Sequence, residues 1–131
     1  MKGYITTNFR WDEFIHPTHQ KYVTQEIEDR IVALANRLQV IRDLTGKSII
    51  ITSGFRPSEY NDQLPNSTKA NPKLPLVPGN GSYHIYGMAV DVVMPHMDAP
   101  TLQKFLQDWS GGMGCYKTYT HLDIGPKRRW S

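Results

Sequence analysis

The sequence predicts one α+β domain in which helices flank a small antiparallel sheet. The chain has 131 residues, a length that suits a single hydrophobic core. One long segment carries apolar residues at helical spacing, and several short apolar segments between turn residues are typical of strands. The elements follow the order helix, strand, loop, strand, helix, hairpin, and this order favours the α+β class.

We expect the whole chain, residues 1–131, to form this domain, with residues 1–22 as an N-terminal arm packed on it. Three aromatic anchors lie between polar positions in the arm: Phe9, Trp11 and Phe14. The His16-Pro17 step interrupts regular structure, because the residue before a proline is disfavoured in the helical conformation. His16 and His19 have no further ligand at useful spacing, so we interpret them as surface histidines.

A long amphipathic helix is predicted from Thr24 to Leu44. Its apolar residues recur every three or four positions and form one stripe: Ile27, Ile31, Leu34, Leu38, Ile41 and Leu44. Thr24 is the expected N-cap, and Gly46 suits a left-handed position after the last turn.

Two strands and a long loop are predicted next. Ser48–Thr52 is β-branched and is expected to be a buried strand, and Met88–Met94 is expected to be a second strand. Prolines exclude a long helix or a central strand from residues 57–81. We therefore expect a loop there, of the kind that often forms a lid or a binding edge.

The last third is predicted to contain a short helix and a hairpin. Asp98 is the expected cap of this helix, and Pro100 lies in its first turn. Its apolar face is expected to comprise Leu102, Phe105, Leu106 and Trp109. Glycines at positions 111, 112 and 114 open a hairpin whose second strand is expected at Tyr119–Ile124.

Composition excludes several classes of protein. Hydrophobic residues make up 39% and charged residues 21%, a balance typical of folded proteins rather than disordered ones. No apolar run approaches the ~20 residues that span a bilayer, so we expect no membrane partner. The N-terminus lacks the apolar stretch of a secretory signal, so we expect synthesis in the cytoplasm. The single cysteine, Cys115, excludes an internal disulfide and a multi-cysteine zinc site.

The net charge of +3 suits an anionic partner, either nucleic acid or an acidic cell-wall polymer. A nucleic-acid partner is not expected, because the chain lacks a basic helix and a base-stacking motif. Part of the positive charge lies in Lys127, Arg128 and Arg129, which we interpret as solvated surface.

Two segments carry candidate metal ligands. In the first, His84 lies at the end of the long loop and Asp91 lies inside an apolar strand, where a buried carboxylate needs a partner such as a metal ion, a salt bridge or a backbone cap. In the second, His121 and Asp123 are two residues apart on a predicted strand and should point to the same face. Either pair alone is more typical of satisfied structure than of a metal site.

Together the two segments match a known pattern. Ser82-x-His84-x-x-Gly87-x-Ala89-x-Asp91, followed by Gly111-Gly112-x-Gly114 and His121-x-Asp123, resembles the zinc D-alanyl-D-alanine carboxypeptidase family. That family includes peptidoglycan endopeptidases and phage endolysins, and it shares its fold with the N-terminal domain of hedgehog proteins. Ser53-Gly54-Phe55-Arg56 is similar to its Ser-Gly-Tyr-Arg element, and the segment Asn8–Phe14 is similar to the start of compact phage members.

The resemblance implies that His84, Asp91 and His121 bind one Zn²⁺ and that Arg56 binds a carboxylate or the carbonyl of the substrate. Many members carry a catalytic Glu three residues before the last histidine, where this chain has Thr118. Asp123 is the leading substitute as general base, and the alternative is that it orients the metal-bound His121. Tyr83, Tyr86 and Tyr119 are candidates to line the cleft, and none is assigned a catalytic role.

Two functions follow as expectations. The first is a monomeric zinc peptidase, either carboxypeptidase or endopeptidase, that cuts peptidoglycan stem peptides as a phage lysin, after release from the cytoplasm or as a virion component. The alternative is a binding or structural module that keeps zinc on the same fold without hydrolysis. The missing Glu favours the alternative, and the complete ligand set together with Arg56 favours the peptidase.

Overall fold

A five-stranded sheet organises the computed structural model, which describes residues 2–131. The strands are β1 Ile50–Ser53, β2 Ala89–Val93, β3 Gly112–Cys115, β4 Thr120–Asp123 and β5 Arg128–Trp130. They lie in the order β1-β2-β4-β3-β5, and all neighbours are antiparallel except β3 and β5, which are parallel. The predicted α+β class is confirmed. The sheet is mixed rather than wholly antiparallel, because β5 pairs in parallel with β3. The sequence did not predict β5.

Within the described residues the α-helices are α1 Trp11–Phe14, α2 Gln25–Thr45, α3 Ser58–Gln63 and α4 Ala99–Phe105. The prediction of α2 is confirmed at both ends, since Thr24 Oγ1 accepts a hydrogen bond from Ile27 N and Gly46 adopts φ 64°. The predicted stripe is buried from Ile27 to Ile41. It is wrong at its end, where Leu44 is 70% exposed in the last turn of the helix.

The segment before α2 contributes to the core. Phe9, Phe14 and Ile15 are buried, and Trp11 is partly buried against the same cluster. A 3-10 helix at Pro17–Tyr22 follows α1. Gly54 allows α1 to pack on the end of β1, because a Cβ there would lie 2.5 Å from the carbonyl oxygen of Phe14. The N-terminal segment is thus packed directly against the region that carries Arg56.

The predicted first strand exists as β1, but it is not buried. Its residues alternate between exposed and partly exposed, and Ile50 is 46% exposed. The reason is its place at the edge of the sheet, where β2 is its single strand neighbour. The predicted second strand is confirmed as β2, in which Val90 and Val92 are fully buried.

The predicted loop at residues 57–81 begins with the short helix α3, which the sequence did not indicate. Asn61 in α3 is fully buried, and its side chain donates a hydrogen bond to the carbonyl oxygen of Thr68. A 3-10 helix at Tyr83–Tyr86 follows this segment and stops at Gly87 with φ 71°. Both short helices depend on tertiary contacts rather than on a periodic apolar pattern.

The C-terminal predictions are confirmed in part, because α4 ends at Phe105 and the predicted face residues Leu106 and Trp109 follow the helix. Asp98 caps α4 by accepting a hydrogen bond from Thr101 N, and β3 and β4 form the predicted hairpin. Leu102, Leu106 and Trp109 are buried in the core, whereas Phe105 is 48% exposed because it lies on the outer side of α4. None of the helices within residues 2–131 combines the length and apolar character needed to cross a membrane.

Replacing Leu38 by alanine should destabilise the fold, because its fully buried side chain fills the core beneath α2. We expect the free energy of unfolding to fall by about 3 kcal/mol. Val40→Ala on the same helix removes a side chain that is 57% exposed and should change the free energy by less than about 0.5 kcal/mol. Urea denaturation of both variants measures the difference, and equal losses would contradict the assigned core.

Candidate metal centre

His84, Asp91 and His121 come together on one face of the sheet. Asp91 lies in the middle of β2, directly opposite His121 on the neighbouring strand β4. His84 lies in the 3-10 helix that precedes β2. One ligand atom from each of the three residues lies within 4.8 Å of the others, so the group can hold a metal ion.

The two separations from Asp91 match those expected in a tetrahedral zinc site. Asp91 Oδ1 lies 3.4 Å from His84 Nε2 and 3.2 Å from His121 Nδ1. Zinc bound to nitrogen and oxygen ligands at ordinary lengths separates neighbouring ligand atoms by about 3.3 Å. The two imidazoles and one carboxylate are also a donor set that zinc commonly uses, with the fourth position left for water.

His84 is held with one nitrogen directed to the centre. Its Nδ1 lies 2.8 Å from the carbonyl oxygen of Gly54, and a carbonyl oxygen can only accept, so Nδ1 carries the proton. This leaves the lone pair of Nε2 free to bind a metal. The side chain is almost completely buried, and burial lowers the pKa of His84, which keeps the imidazole neutral.

His121 is held between two carboxylates. Nδ1 faces Asp91, and Nε2 lies 2.8 Å from Asp123 Oδ2. Burial alone would lower the pKa of His121, but the hydrogen bonds to Asp123 and Asp91 outweigh it and raise this pKa. Because Nε2 is engaged by Asp123, Nδ1 is the nitrogen that faces the candidate metal position. To bind a metal, Nδ1 must give up the proton that it shares with Asp91.

Asp123 is fully buried behind His121, and both of its oxygens are occupied. Oδ1 accepts hydrogen bonds from the backbone N–H groups of Gly112 and Gly125, both at 3.0 Å. Oδ2 accepts from His121 and from Arg128 Nη2, the latter at 2.8 Å. Burial alone would raise the pKa of Asp123, but the hydrogen bonds from His121 and Arg128 lower it to about 2. This arrangement favours the orienting role over that of a general base.

Arg56 reaches the same centre from the end of β1. Its Nη2 lies 3.2 Å from Asp91 Oδ2, and its Nε donates to Ser53 Oγ at 2.9 Å. Its backbone N–H donates to the carbonyl oxygen of His84. Burial alone would raise the pKa of Asp91, but its hydrogen bonds with His121 and His84 lower it below the ordinary range. The carboxylate is therefore ionised, as a metal ligand must be.

A cleft of about 320 Å³ opens onto the three residues. Part of the predicted loop, residues 64–68, forms one side, and Tyr116, Tyr119 and Trp130 contribute aromatic side chains. This part of the loop borders the cleft, and its role in binding stays a prediction. Of the three tyrosines considered from the sequence, Tyr119 lines the cleft, while Tyr86 is buried and Tyr83 packs beside Gly125.

Two residues of this region were missed by sequence reasoning. Arg128 was interpreted as solvated surface, but it is bonded to Asp123, and this interpretation was wrong because β5 lies beside the hairpin. Trp130 lies 5.1 Å from His121, measured between ring centroids. The sequence held one usable signal for Arg128. A buried carboxylate such as that of Asp123 needs a cationic partner in addition to a histidine.

The fold is consistent with that of the peptidoglycan peptidases that the motifs resemble, and the two histidines and the aspartate form a group that could hold a metal ion beside an open cleft. A family model described as "Peptidoglycan L,D-endopeptidase MepK" matches residues 5–130. The chain therefore belongs to this family, whose members are zinc-dependent in general, and it is a peptidase that acts on peptidoglycan. A comparison with curated proteins found no match, and neither did a comparison with solved structures.

Removing either histidine of the centre should abolish tight zinc binding. We expect the wild-type chain to retain about one zinc ion after dialysis, and His84→Ala and His121→Ala to retain almost none. His16→Ala is the matched control, since His16 is exposed and its Nδ1 contacts Thr18. Inductively coupled plasma mass spectrometry measures the retained metal. Equal zinc content in all four proteins would exclude this centre.

Asp123 should contribute to the acid sensitivity of the metal-free protein. Its pKa is about 2 in the folded chain and about 3.9 in an unfolded one, so its stabilising effect is complete above pH ~5 and is lost progressively as the pH falls towards 2. Asp123→Asn should therefore show a smaller loss of stability over this range. Chemical denaturation at a series of pH values measures the slope, and identical slopes would contradict the assignment.

Proposed function

We propose that the chain is a zinc-dependent peptidase that hydrolyses a bond in the stem peptides of bacterial peptidoglycan. His84, Asp91 and His121 are the zinc ligands in this proposal. The observation that carries it is the convergence of their three ligand atoms within 4.8 Å at a cleft. The separations of 3.2 and 3.4 Å from Asp91 Oδ1 support zinc as the metal.

Bound zinc lowers the pKa of a water molecule towards 7 and polarises the carbonyl of the scissile bond. The protein supplies the geometry for this chemistry. His84 and His121 each present one nitrogen because their other nitrogen is engaged by Gly54 O and Asp123. Arg56 contributes a fixed cation beside Asp91, and we assign it to bind a carboxylate or the carbonyl oxygen of the substrate.

We assign Asp123 to the orientation of His121 rather than to proton transfer. A general base needs a free lone pair within reach of the proton that it accepts. The carboxylate of Asp123 is fully buried, and it accepts hydrogen bonds on both oxygens. Its position behind His121 supports the same assignment, because an outer hydrogen-bond partner orients a metal-bound histidine.

We propose endopeptidase action as the mode of cleavage. The description of the matched family names an L,D-endopeptidase, which favours a bond between an L and a D centre inside the peptide over release of a terminal D-alanine. A phage lysin is the proposed biological setting. The similarity of the segment Asn8–Phe14 to compact phage members supports this setting.

The second candidate function is a zinc-containing module that binds peptidoglycan without cutting it. One observation favours it: among the described residues that line the cleft, Asp91 carries the sole carboxylate, and it is a proposed ligand. Thr118 occupies the position of the family's catalytic Glu and is exposed. Hydrolysis then depends on a proton acceptor other than a free carboxylate of the cleft.

Digestion of purified peptidoglycan distinguishes the two functions. With zinc-loaded wild-type protein we expect new peptide termini in the mass spectrum, whose masses identify the cleaved bond. His121→Ala should produce none, a chelator should suppress the wild type, and added zinc should restore it. His16→Ala, which leaves the centre intact, should digest like the wild type. Tight zinc binding without new termini on several wall types would favour the non-catalytic module.

A further inference from the structure

Arg128 lies beside the proposed zinc centre without touching a ligand. It begins β5, directly opposite Gly112 of β3, which in turn is opposite Asp123 of β4. Its Nη2 donates to Asp123 Oδ2 at 2.8 Å, and its Nη1 lies 3.4 Å from Asp123 Oδ1. The two nitrogens therefore face both oxygens of one carboxylate, an arrangement that a guanidinium can make and an ammonium cannot.

Gly112 lets the guanidinium and the carboxylate meet above the sheet. A Cβ at this position would lie 2.5 Å from Asp123 Oδ2 and 2.7 Å from Arg128 Nη2. A side chain at position 112 would thus force the ion pair apart. The absence of a side chain at Gly112 is what brings a cation from β5 to a fully buried anion on β4.

Two aromatic rings hold the guanidinium of Arg128 in place. Its central carbon lies 4.9 Å from the ring centroid of Tyr83 and 5.2 Å from that of Trp130. Trp130 also packs beside His121 and donates a hydrogen bond from Nε1 to the Tyr116 hydroxyl at 2.9 Å. Arg128 is therefore fixed by cation–π contacts as well as by the carboxylate.

We propose that Arg128 is a positioning residue for the metal centre. It holds the Asp123 carboxylate in one orientation, and that carboxylate holds the His121 ring with Nδ1 directed at His84 and Asp91. The inference rests on the proposed zinc function and deepens it. Without Arg128, the two backbone N–H groups would still bind Oδ1, but Oδ2 would keep His121 as its single partner.

The neighbouring Arg129 separates positioning from a general contribution to β5. Arg129 also fastens this strand, but it donates to backbone carbonyl oxygens, including those of Gly111 and Trp109, and does not contact Asp123. Arg129→Ala therefore loosens the strand without altering the partners of the carboxylate. Comparison of the two alanine variants isolates the contact with Asp123.

The first test is zinc affinity, measured by competition with a chromophoric chelator for Arg128→Ala, Arg128→Lys and Arg129→Ala. Loss of a group bonded directly to a metal ligand typically weakens metal binding 10- to 100-fold. Arg128 acts on His121 through Asp123, so we expect a loss at the lower end of this range, about 10-fold, for Arg128→Ala. Arg128→Lys should recover part of it, and Arg129→Ala should stay within about threefold of the wild type. Equal weakening in both alanine variants would overturn the proposal, because it would reveal a structural effect of β5.

The second test uses metal-free protein labelled with ¹⁵N in its histidine rings. The wild type and Arg129→Ala should each give one sharp set of His121 ring signals, whereas Arg128→Ala should give shifted or broadened ones. Arg128→Lys provides the comparison if the alanine variant does not fold. Unchanged His121 signals in a folded Arg128 variant would overturn the proposal. A wild type that shows ordered His121 signals but binds no zinc would instead sink the proposed function and leave the positioning role supported.

Discussion

The centre depends on one constraint: an ionised carboxylate in the middle of a sheet must be surrounded by partners. Asp91 lies between Val90 and Val92, whose side chains are buried in the core on the opposite face of β2. Three other parts of the chain supply its partners, namely Arg56 after β1, His84 before β2 and His121 on β4. Because a buried charge without partners is costly, this carboxylate also brings those segments together.

The pairing of the strands arranges the site in two adjacent rows on one face. The first row crosses the sheet through Asp91, His121, Gly114 and Trp130, and the second through Asp123, Gly112 and Arg128. The two glycines of β3 leave room above the sheet for the side chains of Arg128 and Trp130, since a Cβ on Gly114 would lie 2.8 Å from the Trp130 ring. Residues two apart on a strand share a face, so one register places all the polar groups together.

Sequence reasoning succeeded where the signal was local. Features that depend on neighbours within a few residues were predicted. They are the apolar stripe and the caps of α2, the cap of α4, and the alternation of polar and apolar residues around His121. The fold class followed from the order of these elements. The proposed ligands were identified through a motif, because proximity between β2 and β4 is not readable from either segment alone.

The elements that the sequence did not indicate depend on tertiary contacts. β5 has three residues, is rich in arginine and exists because β3 offers it an edge. A helix of six residues such as α3 has too few positions to show a periodic pattern. Arg128 resembled a surface residue because its partner Asp123 is buried only once the hairpin has formed. Prediction failed where a short segment takes its structure from a distant partner.

Environment, rather than residue type, separates the roles of the two aspartates. Each pairs with an arginine and contacts His121, yet the side chain of Asp91 is 14% exposed towards the cleft and that of Asp123 is fully buried. Asp91 keeps an oxygen near His84 Nε2 and His121 Nδ1, where a cation can join them. Asp123 has no oxygen free for a substrate or a metal. One carboxylate is therefore suited to bind an ion, and the other to hold the ligand that binds it.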